Sequence, residues 1–329
     1  MKRFILLFSS ILLLLSACQK AELPVPKADR GAAITTSFDL GKNYSNQIWF
    51  KLNGNKIISK NSRSDWDLAF ESGEKGNHVL LNSAKFMFAS NTHKQNFSGI
   101  SILDTIGFSS TKQCDRPSTI DSSVIGIFEN NSSVYIIDLG VDEDNKPIGL
   151  KKLQFVENTM TKFKIQYANL DGSNFHAIEF SKDNNYNYLH FSMAKNFLQT
   201  GVGARKEAYD LEFTQYTFVF DQPTYLPYLV QGVLINHSNV LVSKIKGIPY
   251  EALTLNDTLR FPLSSKQDAI GFDWKTYDFA TGIYTITNTN NIINTYIIKD
   301  AEGYYYKLRF IDFYTGAIKG FPKFEYQKL

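Results

Sequence analysis

The chain has 329 residues and a mass of 37.4 kDa, with 43% hydrophobic, 14% aromatic and 20% charged residues, too apolar for a disordered polymer and ordinary for a packed protein of about two domains. Its formal charge is +3, and two of those charges, Lys2 and Arg3, lie in a removable leader, so no electrostatic case for a nucleic-acid partner survives. The aromatics are 26 Phe, 18 Tyr and 3 Trp among many Thr, Ile, Val and Asn, the mixture that favours half-buried strands separated by turns. An all-β fold is expected.

Residues 1–17 (MKRFILLFSSILLLLSA) have the charged, apolar and small-residue parts of a secretory signal peptide, and the apolar run is short for a membrane span. It ends in Leu15-Ser16-Ala17-Cys18, which resembles the bacterial lipobox. In that motif the cysteine becomes the first residue and carries acyl chains, including palmitate. Three chains hold a protein stably on a membrane, where one alone is marginal. Cys18 is therefore the lipidation site; the competing reading is a plain secreted protein with a cysteine near its cleavage site, or a signal retained as an anchor. Residues 18–40, with two prolines and no periodicity, read as the lipid-anchored tether. Gln19 lacks the Asp of an inner-membrane retention signal, which points to the outer membrane or cell surface and leaves the facing side open. With Cys18 acylated, Cys114 is the last thiol, so an intramolecular disulfide is excluded and stability must come from the core.

Three landmarks then recur in order. Asp65-Trp66-Asp67-Leu68-Ala69-Phe70 matches Ala208-Tyr209-Asp210-Leu211-Glu212-Phe213. Val79-Leu80-Leu81-Asn82-Ser83 matches Val233-Leu234-Ile235-Asn236-His237. Val134-Tyr135-Ile136-Ile137 with Lys151 to Phe155 matches Thr295-Tyr296-Ile297-Ile298 with Tyr306 to Phe310. The offsets are similar and close to half the mature length, which predicts two related β-units, 41–195 and 196–329. Alternation in the first landmark gives one apolar face and turns Asp67, Asp210 and Glu212 away from it, as solvated strand residues rather than catalysts. Turns are marked at Asn53-Gly54, Asp171-Gly172-Ser173, Asp300 to Gly303 and Thr315-Gly316. No long window has helical periodicity, and a twisted β-sandwich built from the two units follows.

Motifs for chemistry are thin. Gly201-Val202-Gly203-Ala204-Arg205-Lys206 lacks the spacing of a phosphate loop and reads as a connector. Asp142 to Pro147 is an acidic turn without the glycine and closing glutamate of a calcium loop, and it reads as a hairpin tip. No Ser-His-Asp set, Cys-His pair or His-Glu-x-x-His spacing is present, so no catalytic or metal residue is assigned.

Trp66 to Phe70, Tyr209 to Thr217 with Tyr228 to Leu234, and Tyr305 to Tyr314, together with the lipobox, resemble the HmuY-like lipoproteins of Bacteroidetes. The resemblance covers about 45–329. It implies an all-β haemophore, which captures haem through two axial histidines on loops and delivers it to an outer-membrane receptor. Those ligands are absent here: Trp274 to Gly282, where the second would follow a Trp-containing strand, and Ser243 to Phe261, where the first would lie, hold neither His nor Met. Haem iron takes nitrogen, sulfur or phenolate ligands in an apolar pocket, which leaves His237 at a hairpin, His190 or Met193 in Tyr188 to Met193, and Tyr277 as an oxygen ligand. Strand alternation puts His190 and Met193 on opposite faces, so they share one iron only if a turn intervenes. Two readings stay open: a non-enzymatic lipoprotein binding haem or a related tetrapyrrole for iron acquisition, and a surface binding or adaptor lipoprotein for another nutrient such as a glycan.

Overall fold

Strand Lys162–Asn169 (KFKIQYAN) shows how the alternation becomes structure: Phe163, Ile165 and Tyr167 are buried while Lys162, Lys164 and Gln166 keep contact with solvent. Phe163 lies opposite Phe180 and Ile165 opposite Ile178 on the next strand, so one apolar face is completed across the sheet. In this computed structural model the described residues are 30–118, 123–128, 130, 132–199 and 201–329. The signal peptide, Cys18 and most of the tether lie outside them. From Ala32 onward the chain forms one unit.

The described elements are nearly all strands, as expected, with short 3-10 turns and a four-residue helix at Phe108–Thr111. Among the described residues no helix is long and apolar enough to cross a membrane. The strands build four large antiparallel sheets, which pair into two β-sandwiches. In the first sandwich, one sheet has the order His176–Ser181, Lys162–Asn169, Leu150–Asn158, Tyr135–Asp138, Phe88–Asn91. The facing sheet has the order Phe197–Leu198, Tyr188–Ser192, Leu68–Glu71, His78–Leu81, Gly126–Ile127. Phe70, Phe155, Phe163, Phe180 and Phe191 fill the space between them. In the second sandwich the sheets are Ile34–Ser37, Ile318–Lys328, Tyr305–Thr315, Thr295–Lys299, Leu241–Ile245 and Leu226–Ile235, Leu211–Phe220, Asn46–Lys51, Lys56–Ser62. Phe50, Phe213, Phe310, Phe324 and Trp274 pack inside, with Trp274 stacked on Phe310 at 4.0 Å and 15°.

The repeated landmarks occupy matching hydrogen-bonding positions. Asp67 N–H donates to the Phe191 carbonyl at 2.8 Å, and Asp210 N–H to that of Phe50 at 2.9 Å. Asn82 N–H donates to Asp67 O and Asn236 N–H to Asp210 O. The Asn82 amide donates to the carbonyls of Trp66 and Arg63, and the Asn236 amide to those of Tyr209 and Lys206. The strand beside each landmark differs in origin: Tyr188–Ser192 comes later in the chain than its landmark, whereas Asn46–Lys51 comes earlier. The second sandwich thus takes strands from both ends of the chain, and the sheets do not divide at residue 195.

One expectation is corrected. Asp67 and Asp210 are not solvated; they are 3% and 1% exposed. Each carboxylate accepts the N–H of the residue just beyond the neighbouring strand, Met193 at 2.7 Å for Asp67 and Leu52 at 2.8 Å for Asp210. Alternation gives the face of a side chain but not what covers that face, and here the departing chain covers it. Asp67 also forms a buried ion pair with Lys85.

Candidate functional site

Of the histidine and methionine candidates, Met193 is enclosed and His190 and His237 are half-buried. Tyr188–Ser192 pairs with Leu68–Glu71, placing Phe191 in the first core and His190 on the other side. The His190 ring meets Trp66 edge-on at 4.6 Å and Trp49 at 6.4 Å. Met193, just past the strand, lies in the Phe-rich core, 2% exposed. The structure therefore does not bring these two side chains to one iron. His190 lines a small cavity of about 80 Å³ with Trp49, Trp66, Glu212 and Thr214 and also an open cleft of about 400 Å³ with Tyr188, Leu198 and Val202. The smaller has room for a few waters, and the larger falls within the range of about 300–1,000 Å³ of ligand pockets. Burial pushes the His190 imidazole down to about 4, opposed by a contact with the Val202 backbone, and pushes the Glu212 carboxyl up to about 8. The imidazole is therefore neutral at pH 7. Gly203 presses on it: a Cβ at that position would stand 2.8 Å from His190 Cε1, at a φ of +75°. Gly203→Ala is expected to cost about 1–3 kcal/mol, read as a lower Tm; an unchanged Tm would show that the ring yields freely.

His237 is half-buried and its ring lies 5.7 Å from that of Tyr188, with Nε2 3.5 Å from the Tyr188 hydroxyl and 3.4 Å from Ser238 Oγ. Burial lowers its pKa, with Glu71 acting the other way. Cys114 is buried, with Sγ 3.3 Å from the Tyr225 hydroxyl, and burial raises its thiol pKa. The acidic turn is closed on itself by Asp142 Oδ1, which accepts the N–H groups of Asp144 and Lys146 at 2.9 Å each.

Tyr277 is different, because it lines an open cleft of about 660 Å³ on the second sandwich. The hairpin Lys275–Asp278 with Ile283–Ile286 sets Tyr277 opposite Tyr284, ring centroids 4.7 Å apart. Its turn is tied by Asp278, whose carboxylate accepts Ala280 N–H and Thr281 Oγ1 at 2.8 Å each. The turn lifts Phe279 to the rim, 87% exposed. The facing wall is the far end of the Leu211–Phe220 and Leu226–Ile235 hairpin, which carries Phe220, Leu226 and Tyr228, the last two each 54% exposed. So many exposed apolar side chains around one concavity mark a binding surface. Gln215 and Gln231 are cross-strand partners on its floor, and their buried Oε1 atoms have no protein hydrogen-bond partner. Lys275 is also on the floor, 6% exposed, and donates to the Gln231 carbonyl at 2.5 Å. Burial pushes its ammonium down to about 7, with Asp273 acting the other way.

Sequence reasoning named Tyr277 but missed the walls and Lys275, because they come from separate strands with no shared local pattern. It also passed over His93, which lines a cleft of about 560 Å³ on the first sandwich with Leu103, Ile106 and Phe108. No group of three or more His, Cys, Asp or Glu poised for a metal ion occurs among the described residues.

A protein assigned by name as HmuY-like and heme-binding, from Bacteroides vulgatus, is similar over 89% of this chain and 90% of its own, at 9% identity and a TM-score of 0.23. One assigned as a lipoprotein, from Bacteroides fragilis, covers 92% of each chain at 12% identity and a TM-score of 0.22. No curated protein matches the chain. The family model described as HmuY protein matches residues 43–326, which is most of the chain and takes in the first sandwich, most of the second and the aromatic cleft, so this chain belongs to the HmuY family.

Proposed function

We propose that the protein is a non-enzymatic, lipid-anchored lipoprotein of the outer membrane or cell surface that captures haem or a related tetrapyrrole for iron acquisition and passes it to an outer-membrane receptor. The observation that carries this reading is the cleft of about 660 Å³ walled by aromatic side chains, with Tyr277 on its wall. Its size suits a macrocycle, its walls offer ring faces for stacking, and a tyrosine phenolate is one of the established axial ligands of haem iron. Membership of the HmuY family and the lipobox at Cys18 support the same reading.

The test is a titration of the purified protein with haemin, followed by visible absorbance. A saturable, near-stoichiometric Soret band is expected in the wild type. Tyr277→Phe should change the band and weaken binding about tenfold, and His93→Ala should leave both unaltered. A spectrum indistinguishable from free haemin would sink the reading, and a loss confined to His93→Ala would move the site to the first sandwich. The unpartnered oxygens of Gln215 and Gln231 favour a second reading, a glycan whose ring stacks on Tyr228 or Tyr277 and whose hydroxyls donate to those oxygens. That reading calls for spectral silence with haemin and saturable binding of an oligosaccharide.

A further inference from the structure

The floor of the aromatic cleft holds a buried lysine with no counter-ion among the described residues. Among the described residues Lys275 Nζ has one acceptor at hydrogen-bond distance, the Gln231 carbonyl at 2.5 Å. Around it stand the rings of Trp274 at 4.3 Å, Phe313 at 4.8 Å and Tyr284 at 5.5 Å. The nearby carboxylate, Asp273, is held in an ion pair by Lys244. Among the described residues Lys275 makes no ion pair. An ammonium has three donors, and a buried charge is ordinarily paired, because leaving water unpaired is costly. Ring faces offset part of that cost. A second cation, Lys319, is exposed and lines the same cleft. With Asp273 neutralised by Lys244, the cleft offers an incoming group two lysines and no free carboxylate from its own lining.

We propose that Lys275 is a carboxylate-binding group, so that the cleft takes a flat, apolar ligand that carries a carboxylate: the macrocycle or ring face packs between Tyr228 and Tyr277, and the acid reaches the floor. This rests on the cleft being the ligand site of the protein. The carboxylate completes the hydrogen bonding of Nζ and supplies the missing counter-ion in a site of low dielectric, where a charge-assisted bond is at its strongest. Tetrapyrroles with propionate side chains belong to this class, and a neutral sugar does not.

The wild-type protein and Lys275→Met are titrated with haemin, with haemin dimethyl ester, and with pyrenebutyrate, a flat apolar acid without a macrocycle. The expected result is that esterification weakens binding to the wild type about 10- to 100-fold, the scale of one hydrogen bond to a charged group, that Lys275→Met weakens haemin equally, and that the variant no longer distinguishes acid from ester. If ester and acid bind the wild type equally, the proposal is overturned and haem capture stands. If haemin fails to bind but pyrenebutyrate binds in a Lys275-dependent way, the carboxylate site stands and haem capture falls. If neither acid binds, both fall. The acid and ester comparison needs only the wild type, so a variant that failed to fold would not remove the test.

Discussion

Replacing Asp67 by Ala is expected to lower stability by about 3–5 kcal/mol, the cost of leaving one partner of a buried ion pair uncompensated. Asp67 and Lys85 are both 4% exposed at the side chain, so water cannot replace the lost carboxylate. The repeated acid provides the control. Asp210 fills the matching position and accepts Leu52 N–H at 2.8 Å and Ala301 N–H at 3.3 Å. Among the described residues it has no paired buried lysine, and burial pushes its carboxyl up to about 6, opposed by those two N–H groups. Asp210→Ala strands backbone donors and should cost about 1–3 kcal/mol. Asp67→Ala combined with Lys85→Met removes the stranded charge, so the double variant should recover most of the loss and fall near Asp210→Ala. Urea unfolding of the three variants checks this. Equal losses in Asp67→Ala and Asp210→Ala, or no recovery in the double variant, would show that the ion pair is not what distinguishes the two sandwiches.

Replacing Glu212 by Gln should act in the opposite direction, and only above about pH 4.5. The Glu212 carboxyl faces the cavity beside His190, accepts Gln47 Nε2 at 3.3 Å, and is pushed by burial from 4.5 up to about 8. A carboxyl raised in the folded state keeps its proton there while the unfolded chain releases it. Its contribution to stability is therefore fully present below about pH 4.5 and is lost as pH rises through about 8. At pH 7 the wild type carries most of that penalty, which at 1.36 kcal/mol per unit comes to about 3 kcal/mol. Glu212 retains some exposure, and solvent screening brings this to about 2 kcal/mol. Glu212→Gln keeps an acceptor for Gln47 and removes the titration. It should be more stable than the wild type by about 2 kcal/mol at pH 7 and indistinguishable from it at pH 4. His190, held down to about 4 by burial, works the other way, losing stability as pH falls below its ordinary 6.5. Both proteins share that loss, so the difference between their pH profiles isolates Glu212. Parallel profiles would show that the Glu212 carboxyl is solvated in the folded protein.

The cleft shows how a site can be distributed over the chain without local notice. Tyr44 comes from the N-terminal part, Tyr228 from a long hairpin, Tyr277 and Tyr284 from a short one, and Lys319 from near the C-terminus. Only Tyr277 carried any expectation of a ligand role, through its place after Trp274. That tryptophan does not reach for a ligand itself, being 1% exposed and stacked on Phe310.

The sequence by itself determined the strands, the turns between them and the repeated landmarks, because alternation and turn chemistry are properties of a few consecutive residues. Asp67 and Asp210, and Asn82 and Asn236, match in sequence and make the same backbone bonds, each in its own sandwich. Only the tertiary structure decided that Tyr188–Ser192 completes the first landmark's sheet and Asn46–Lys51 the second's, that both aspartates and Met193 are buried while His190 is half-buried, and that an aromatic cleft opens beside Tyr277. These are outcomes of pairing between distant segments. No short stretch encodes its partner, which is selected by how much apolar surface the whole arrangement buries and by which backbone donors it satisfies.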